Sequence, residues 1–393
     1  MTDDFDPDER WFAHLLASVP TPASLDRWGD EEEVDRSRTV QRRRLTPTVT
    51  WGVALVAACV IIVGLGLMGP GLHRGGSTTA DSASAPPPRS QAGLAADDVH
   101  QFVVLFGGRS GSGNGLLGDT WTWDGRRWSE RHPAHSPSPR SAVAMTSDPN
   151  GGGVLLVGGV GPDGRVLSDD WEWTGDDWQS LPEQTGPVRA GAVMAFDPIA
   201  GHIVLVGGQA GAADRASTTW VRAGHVWEAR VADPAPPACA SSSLAYDDAV
   251  RQVVLVTGRG CEPQPATWTW DGHVWTRQSA LPAAPAGGFT VAYDEGSQQL
   301  VMFSPGADPA HACAGRAIMT WDGFAWTARA VTAAPAATAA AVPDPVARKP
   351  LLLTVTGETW RWDGSTWDIL AAAASSASAG QPPLCPPAGG RQP

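Results

Sequence analysis

The stretch Trp121-Thr122-Trp123-Asp124-Gly125-Arg126-Arg127-Trp128 constrains this chain more than any other, because it returns five times. Trp171-Glu172-Trp173-Thr174-Gly175 leads to Trp178, and Trp220-Val221-Arg222-Ala223-Gly224 leads to Trp227. Trp268 and Trp270 precede Trp275, Met319 and Trp321 precede Trp326, and Trp360 and Trp362 precede Trp367. The closing tryptophans stand 50, 49, 48, 51 and 41 residues apart. Asp-Gly between two runs of β-favouring residues is a strong hairpin signal, because a tight turn needs positive φ and these residues tolerate it best. With Asp124-Gly125 as a two-residue turn, Trp123 faces Arg126 and Trp121 lies directly opposite Trp128. Trp123, two residues from Trp121, shares its side of the ribbon.

A fixed period near 50 residues predicts a β-propeller, with one four-stranded blade per repeat. A second residue keeps the same phase. An aspartate recurs as Asp97, Asp148, Asp197, Asp247, Asp294 and Asp344, at spacings of 51, 49, 50, 47 and 50. There are therefore six complete units and no orphan strand. In each, strand one runs like Arg189 to Phe196 and ends at a turn such as Asp197-Pro198. Strand two is apolar and ends in glycines, as in Ile203 to Gly208. Strand three carries the first tryptophans and strand four the last. The loop between strands two and three is long in units one to five and nearly absent in unit six, where Gly357 runs into Glu358.

A length of 393 residues allows two or three domains, but stacked repeats form one. A net charge of −13 argues against a nucleic-acid surface. Ahead of the repeats, no charge occurs between Arg44 and Arg74, and Trp51 to Met68 is almost wholly apolar. That length suits a membrane-spanning helix, which needs about 20 apolar residues. A cleaved signal peptide is the rival, weakened by the 48 residues that precede the apolar run. Arg36, Arg38 and Arg42 to Arg44 place the N-terminus on the cytoplasmic side. The expected order is a cytoplasmic tail at 1–48, with the composition of disorder and one amphipathic stretch at Arg10 to Val19. A transmembrane helix at 49–70, a flexible linker at 71–87, the propeller at 88–370 and a disordered tail at 371–393 follow.

The diglycines Gly107-Gly108, Gly158-Gly159 and Gly207-Gly208, the tryptophan after each following hairpin, and Arg89, Arg140 and Arg189 ahead of strand one resemble the kelch-repeat propellers, the family that includes galactose oxidase. The likeness covers about residues 88–370. It implies an all-β kelch-like propeller; with the six units and the apolar run, the expected fold is a six-bladed propeller behind one N-terminal transmembrane helix. Two features depart from the pattern: the diglycine decays to Thr257-Gly258 and is then lost, and the arginine gives way to Cys239, Ala286 and Ala336. One function shared equally by six blades is not expected.

The tryptophans repeat position by position, as core does and as a sugar platform has no reason to. A copper centre like that of galactose oxidase needs tyrosines and histidines meeting at the axis. Tyr246 and Tyr293 instead hold the strand-one position that Phe196 fills in unit three, and so belong with the core. His132 and His135 are close in sequence, with no carboxylate cluster beside them, so no metal, cofactor or catalytic residue is assigned. Arg89, Arg140 and Arg189 are the candidate ligand-binding residues, near the channel mouth, where guanidinium groups can clamp an anion. The alternative is that each is paired within the fold. The function expected is binding of a protein or glycan at the cell envelope. The alternatives are a transmembrane sensor signalling through its tail, and an oxidase or sugar-processing enzyme on the same fold.

Cysteine placement yields a test. Cys59 falls in the apolar span, whereas Cys239, Cys261, Cys313 and Cys385 fall outside the membrane, where disulfides persist. The start of strand one and the end of strand two share a face, so Cys239 and Cys261 can approach the Cα separation of about 5.5 Å a disulfide needs, leaving Cys313 and Cys385 to pair. The rival is Cys261 with Cys313. Non-reducing peptide mapping is expected to yield a linked Cys239–Cys261 peptide; a Cys261–Cys313 peptide, or alkylation of all four without reductant, overturns the pairing.

Overall fold

The structure, a computed structural model, describes residues 85–112, 115–182, 186–210, 218–237, 242–258, 265–281, 288–304, 317–331, 335 and 340–372. The expected N-terminal tail, the membrane span, nearly all of the linker, the C-terminal tail beyond residue 372 and all five cysteines lie outside the described residues.

What is described is all β: a six-bladed propeller with no helix among the described residues. Each blade is an antiparallel sheet whose four strands run outward in sequence order. Blade two, for example, is Ala144–Asp148, Gly153–Val157, Asp170–Trp173 and Trp178–Ser180. Only blade one departs, its inner strand being split into Arg89–Ser90 and Gly93–Asp97, both paired with Phe102–Ser110. The last strand of blade six, Trp367–Ala371, pairs within its own blade, so the ring closes by packing and not by exchange of a strand.

Side-chain size follows the taper of a ring. Six inner strands converge on the axis, where space is least, and they carry small residues: Ala95, Ala144, Ala195, Ala292 and their neighbours. Farther out the blades diverge, and the wedge between them is filled by indoles. Trp123, Trp173, Trp178, Trp270, Trp275, Trp321 and Trp362 are the largest fully buried aromatic side chains. Burying one aromatic removes about 150–250 Å² from water, which is why so few residues per blade suffice to hold the seams.

The hairpin differs from the expected register. Trp123, not Trp121, stands opposite Trp128, and Trp121 stands opposite Glu130. The same pairing joins Trp173 with Trp178, Trp270 with Trp275, Trp321 with Trp326 and Trp362 with Trp367. The turn is centred one residue later than Asp-Gly. Gly125 is its first central residue, at φ 89°, and Asp124 flanks it. The Asp124 Oδ1 atom accepts the backbone N–H groups of Arg126 and Arg127, both at 2.9 Å. Asp271, Asp322 and Asp363 do the same in their hairpins. The aspartate thus serves as an N–H acceptor and the glycine alone takes positive φ. Moving a turn centre by one residue moves the pairing by two, so every side chain keeps its face. Burial of Trp121, Trp123 and Trp128 together is therefore as expected, at 4, 0 and 3% exposure.

One polar bond recurs at the seams. The indole N–H of the strand-four tryptophan donates to the residue just before the first tryptophan position in strand three of the preceding blade. Trp178 donates to Thr120 (2.9 Å), Trp227 to Asp170 (2.9 Å), Trp275 to Thr219 (2.8 Å) and Trp326 to Thr267 (2.7 Å). Trp128 of blade one donates to Thr359 of blade six at 2.7 Å, which closes the ring. The sixth seam has Ile318 where the acceptor belongs. There the Trp367 Nε1 atom has no partner among the described residues, and its ring instead meets Phe303 edge-on at 4.7 Å.

Thr359→Val is expected to strand the Trp128 N–H and destabilise the propeller by about 1–3 kcal/mol. Ile318→Val, at the seam that already lacks an acceptor, is expected to cost only about 0.5–1.5 kcal/mol. Urea denaturation of the two variants decides; a closure variant as stable as the parent removes this bond from the account of ring closure.

Candidate functional site

The candidate arginines sit at the crossing face, where the loops between strands two and three and the links between blades run. Arg89 is 1% exposed. Its two terminal nitrogens grip Asp119 at 2.8 and 2.7 Å, and Nη1 also donates to the Gly107 carbonyl at 3.0 Å. Arg140 repeats this with Asp169, at 2.6 and 2.7 Å, and with the Gly158 carbonyl at 3.1 Å. Each aspartate accepts a further bond from the indole of Trp121 or Trp171. Burial alone pushes the Asp119 and Asp169 carboxyls up; the arginine and indole donors together outweigh it and hold both below the ordinary carboxylate range. Arg189 holds the equivalent place in blade three and is buried. None of the three arginines lines the central channel.

The diglycines belong to the same device. The second glycine donates its N–H to the arginine carbonyl of the next blade, Gly108 to Arg140 at 2.9 Å and Gly159 to Arg189 at 3.0 Å. A Cβ on Gly158 would stand 2.2 Å from the Arg189 carbonyl oxygen, so no other residue fits. In blades four to six a hydroxyl residue, Thr257, Ser304 or Thr354, takes the first glycine's place. The Thr257 Oγ1 donates to the Ala266 carbonyl at 3.1 Å and accepts its N–H at 3.0 Å.

The opposite, turn face carries the turns between strands one and two and the hairpins between strands three and four. The repeated aspartates are buried here and hold the turns: Asp197, for instance, accepts the N–H groups of Ile199 and Ala200, and Asp344 those of Val346 and Ala347. Their outward neighbours differ from blade to blade. Pro149, Pro198 and Pro345 follow the aspartate in blades two, three and six, whereas Asp98, Asp248 and Glu295 follow it in blades one, four and five.

These neighbours frame one mouth of a cavity of about 700 Å³ on the axis. Asp98, Asp248, Glu295 and Arg348 line it on one side, Pro149 and Pro198 on the other. Arg348 pairs with Glu295 at 2.9 Å, linking blades six and five. One step inward come Phe196, Tyr246 and Tyr293, on three adjacent blades, then a shaft of alanine, valine, leucine and methionine. Both tyrosines pack against the seams as expected, and both also line the channel. Burial, then the carboxylates of Asp247, Asp248 and Glu295, pushes the Tyr293 hydroxyl up to about 12. The Tyr246 hydroxyl is buried without a well-aligned hydrogen bond, Arg251 lying close enough to influence it. The alternation of proline and acid after the repeated aspartate is the signal by which aligned repeats would have revealed this rim.

The turn face also carries exposed apolar side chains. Val99, Ile199, Val226, Val274, Phe324 and Val346 are exposed there, Phe324 to 80%; they are six of the nine exposed large hydrophobic side chains among the described residues. Blade three differs again, with Arg222 in place of the second tryptophan. It forms a buried ion pair with Asp148 of blade two and reaches His225 at 3.1 Å. Glu172, beside that pair, is buried with an unpartnered oxygen, and burial followed by the Asp148 charge pushes its carboxyl up. Elsewhere His135 bonds to Asp177 at 2.8 Å on the exterior. No group of three metal-ligating side chains is assembled among the described residues.

Comparison with known proteins supports the architecture. A solved structure described as "Structure of YjhT" superposes with a TM-score of 0.51 at 12% identity, covering 73% of this chain and 98% of that one. At that identity the likeness establishes the β-propeller fold alone. No protein-family model matches the sequence. No curated protein matches it either.

The pKa shifts give a pH test. Burial lifts the carboxyls of Asp170 and Asp247 from 3.8 to about 6. The folded state then holds protons that the unfolded chain has released, so this contribution is fully present below about pH 4 and is lost as pH rises toward 6. Asp247→Asn, which keeps an acceptor for the Ala249 and Val250 N–H groups, is expected to flatten that fall by about 1–2 kcal/mol. Parallel stability-versus-pH curves for parent and variant across that window would exclude a raised Asp247.

Proposed function

We propose that this chain is a membrane-anchored, extracytoplasmic propeller of the kelch type that acts as a binding module, taking a protein or glycan of the cell envelope on its turn face. The anchor is the uncharged run from Trp51 to Met68, with its arginines on the cytoplasmic side. The arginine, diglycine and tryptophan framework of blades one to three supports the kelch assignment. The observation that carries the binding role is the concentration of exposed apolar side chains on one face. Single exposed hydrophobics scatter over ordinary surfaces, whereas six of the nine among the described residues on one face point to an interaction site there. In each blade strand one begins, and strand four ends, at the crossing face.

The two parts of the proposal are tested separately. Protease added to cells without an outer barrier is expected to digest the propeller and spare residues 1–48; loss of the tail alone reverses the orientation. Full-length protein carrying Val274→Glu and Phe324→Glu is expected to fold normally, because both side chains are exposed. It is expected to lose at least about tenfold in capture of its envelope partner, the loss typical of truncating a central interface anchor. A doubly charged variant that captures the same partner as well as the parent removes the turn face from the proposal.

A further inference from the structure

The mouth of the axial channel has a chemistry of its own. Three carboxylates, Asp98, Asp248 and Glu295, and one guanidinium, that of Arg348, line it, with Arg251 beside Tyr246, so acids outnumber bases at the rim. Arg348 is committed to Glu295. The Asp98 and Asp248 side chains are exposed at the ends of turns whose backbone bonds are met by the buried aspartates before them. Directly inside the rim, Phe196, Tyr246 and Tyr293 form an arc across blades three, four and five. Below it the walls are aliphatic, with Leu94, Met145, Met194 and Leu244 among them. The sequence of environments from solvent inward is carboxylate, aromatic, aliphatic.

We infer that this mouth binds an alkylammonium group, its charged head at the Asp248 and Glu295 side of the rim and its apolar body against the aromatic arc and the shaft below. This rests on the turn face being the binding face and adds the ligand's chemistry. An anion is repelled by the rim. A hydrated metal ion finds no ligand set, because no three metal-ligating groups come together among the described residues. A neutral apolar molecule leaves the carboxylates unused. An organic cation satisfies all three layers: carboxylates supply charge-assisted hydrogen bonds, aromatic faces attract a cation through their quadrupole, and the shaft takes the hydrocarbon. The same group is presented by a free alkylamine and by a lysine side chain of a protein partner.

The test uses the full chain in zwitterionic nanodiscs at pH 7.5, titrated calorimetrically with hexylammonium, hexan-1-ol and hexanoate. Hexylammonium is expected to bind saturably. Hexan-1-ol is expected to bind at least about tenfold more weakly, and hexanoate more weakly still, since a hydrogen bond to a charged group contributes about 1.5–3 kcal/mol. The Asp98→Asn/Asp248→Asn variant is expected to lose at least about tenfold for hexylammonium while keeping the parent's melting temperature, because both side chains are exposed. Equal binding of hexylammonium and hexan-1-ol, or equal binding to parent and variant, overturns the inference. A further arm with N-acetyl-Gly-Lys-Gly-amide names the source: binding as tight as hexylammonium supports a lysine of a protein partner, and binding of the free amine alone supports a small ligand. The Val274→Glu/Phe324→Glu variant lies outside the mouth and is expected to retain hexylammonium binding. If that variant loses partner capture while the parent ignores hexylammonium, the turn-face reading stands and the ammonium inference falls.

Discussion

The propeller depends on the way each strand-four indole is wedged into the preceding blade. A single blade cannot bury its own tryptophans; their rings are covered only when a neighbour is present, and their N–H groups find acceptors only across the seam. Both requirements point backward along the chain, from each blade to the one before it, until Trp128 of blade one meets Thr359 of blade six. A ring is the arrangement in which every strand-four ring is covered and five of the six indole N–H groups find an acceptor across a seam. The apolar wedge supplies most of the free energy, because an aromatic side chain buries far more area than one indole hydrogen bond contributes net. The bond's role is registration: an indole N–H buried without a partner costs about 1–3 kcal/mol, so a blade that slides out of alignment is penalised. The blade-six seam, with Ile318 at the acceptor position, shows that edge-on packing of Phe303 against Trp367 can replace the bond once its neighbours hold the ring.

Such a fold is unusually readable. Blade number, strand order and the burial of the tryptophans all follow from one period, because a repeat exposes its own core by recurrence. Register was less readable. Asp-Gly carries two meanings, a pair of residues at positive φ or one acceptor followed by one such residue, and only backbone geometry separates them. Asp124 chooses the second by capturing the N–H groups of Arg126 and Arg127. The consequence is small, since a two-residue change of pairing preserves faces.

The crossing face shows how residue types that fade together can be one structure. Arginine, diglycine and the aspartate of strand three are scattered over some 30 positions of a unit, as in Arg89 and Asp119. They meet as a bidentate ion pair, a carbonyl contact and an N–H bond to the next blade. In blades four to six the arginine and the diglycine disappear together, and a hydroxyl residue bonding locally to strand three replaces the first glycine, as Thr257 does. From sequence alone these are two separate departures from a pattern. In space they are the removal of one bracket, half of which is useless without the other. A guanidinium that is 1% exposed and holds a carboxylate through both terminal nitrogens is part of the wall.

What a repeat cannot reveal by recurrence is what differs between copies, and function in a propeller lies in those differences. The turn between strands one and two needs one aspartate to hold its N–H groups, and every blade provides it. The next residue needs only to tolerate the turn. Proline does so in three blades by fixing its own φ. Asp98, Asp248 and Glu295 do so in the other three, at the expense of placing like charges around one opening, which destabilises the rim by mutual repulsion. Arg348 relieves part of that through Glu295. A fold free to use proline at all six positions gains nothing in stability from the three acids. Their presence above an aromatic arc is therefore a property of the opening they surround and not of the blades that carry them.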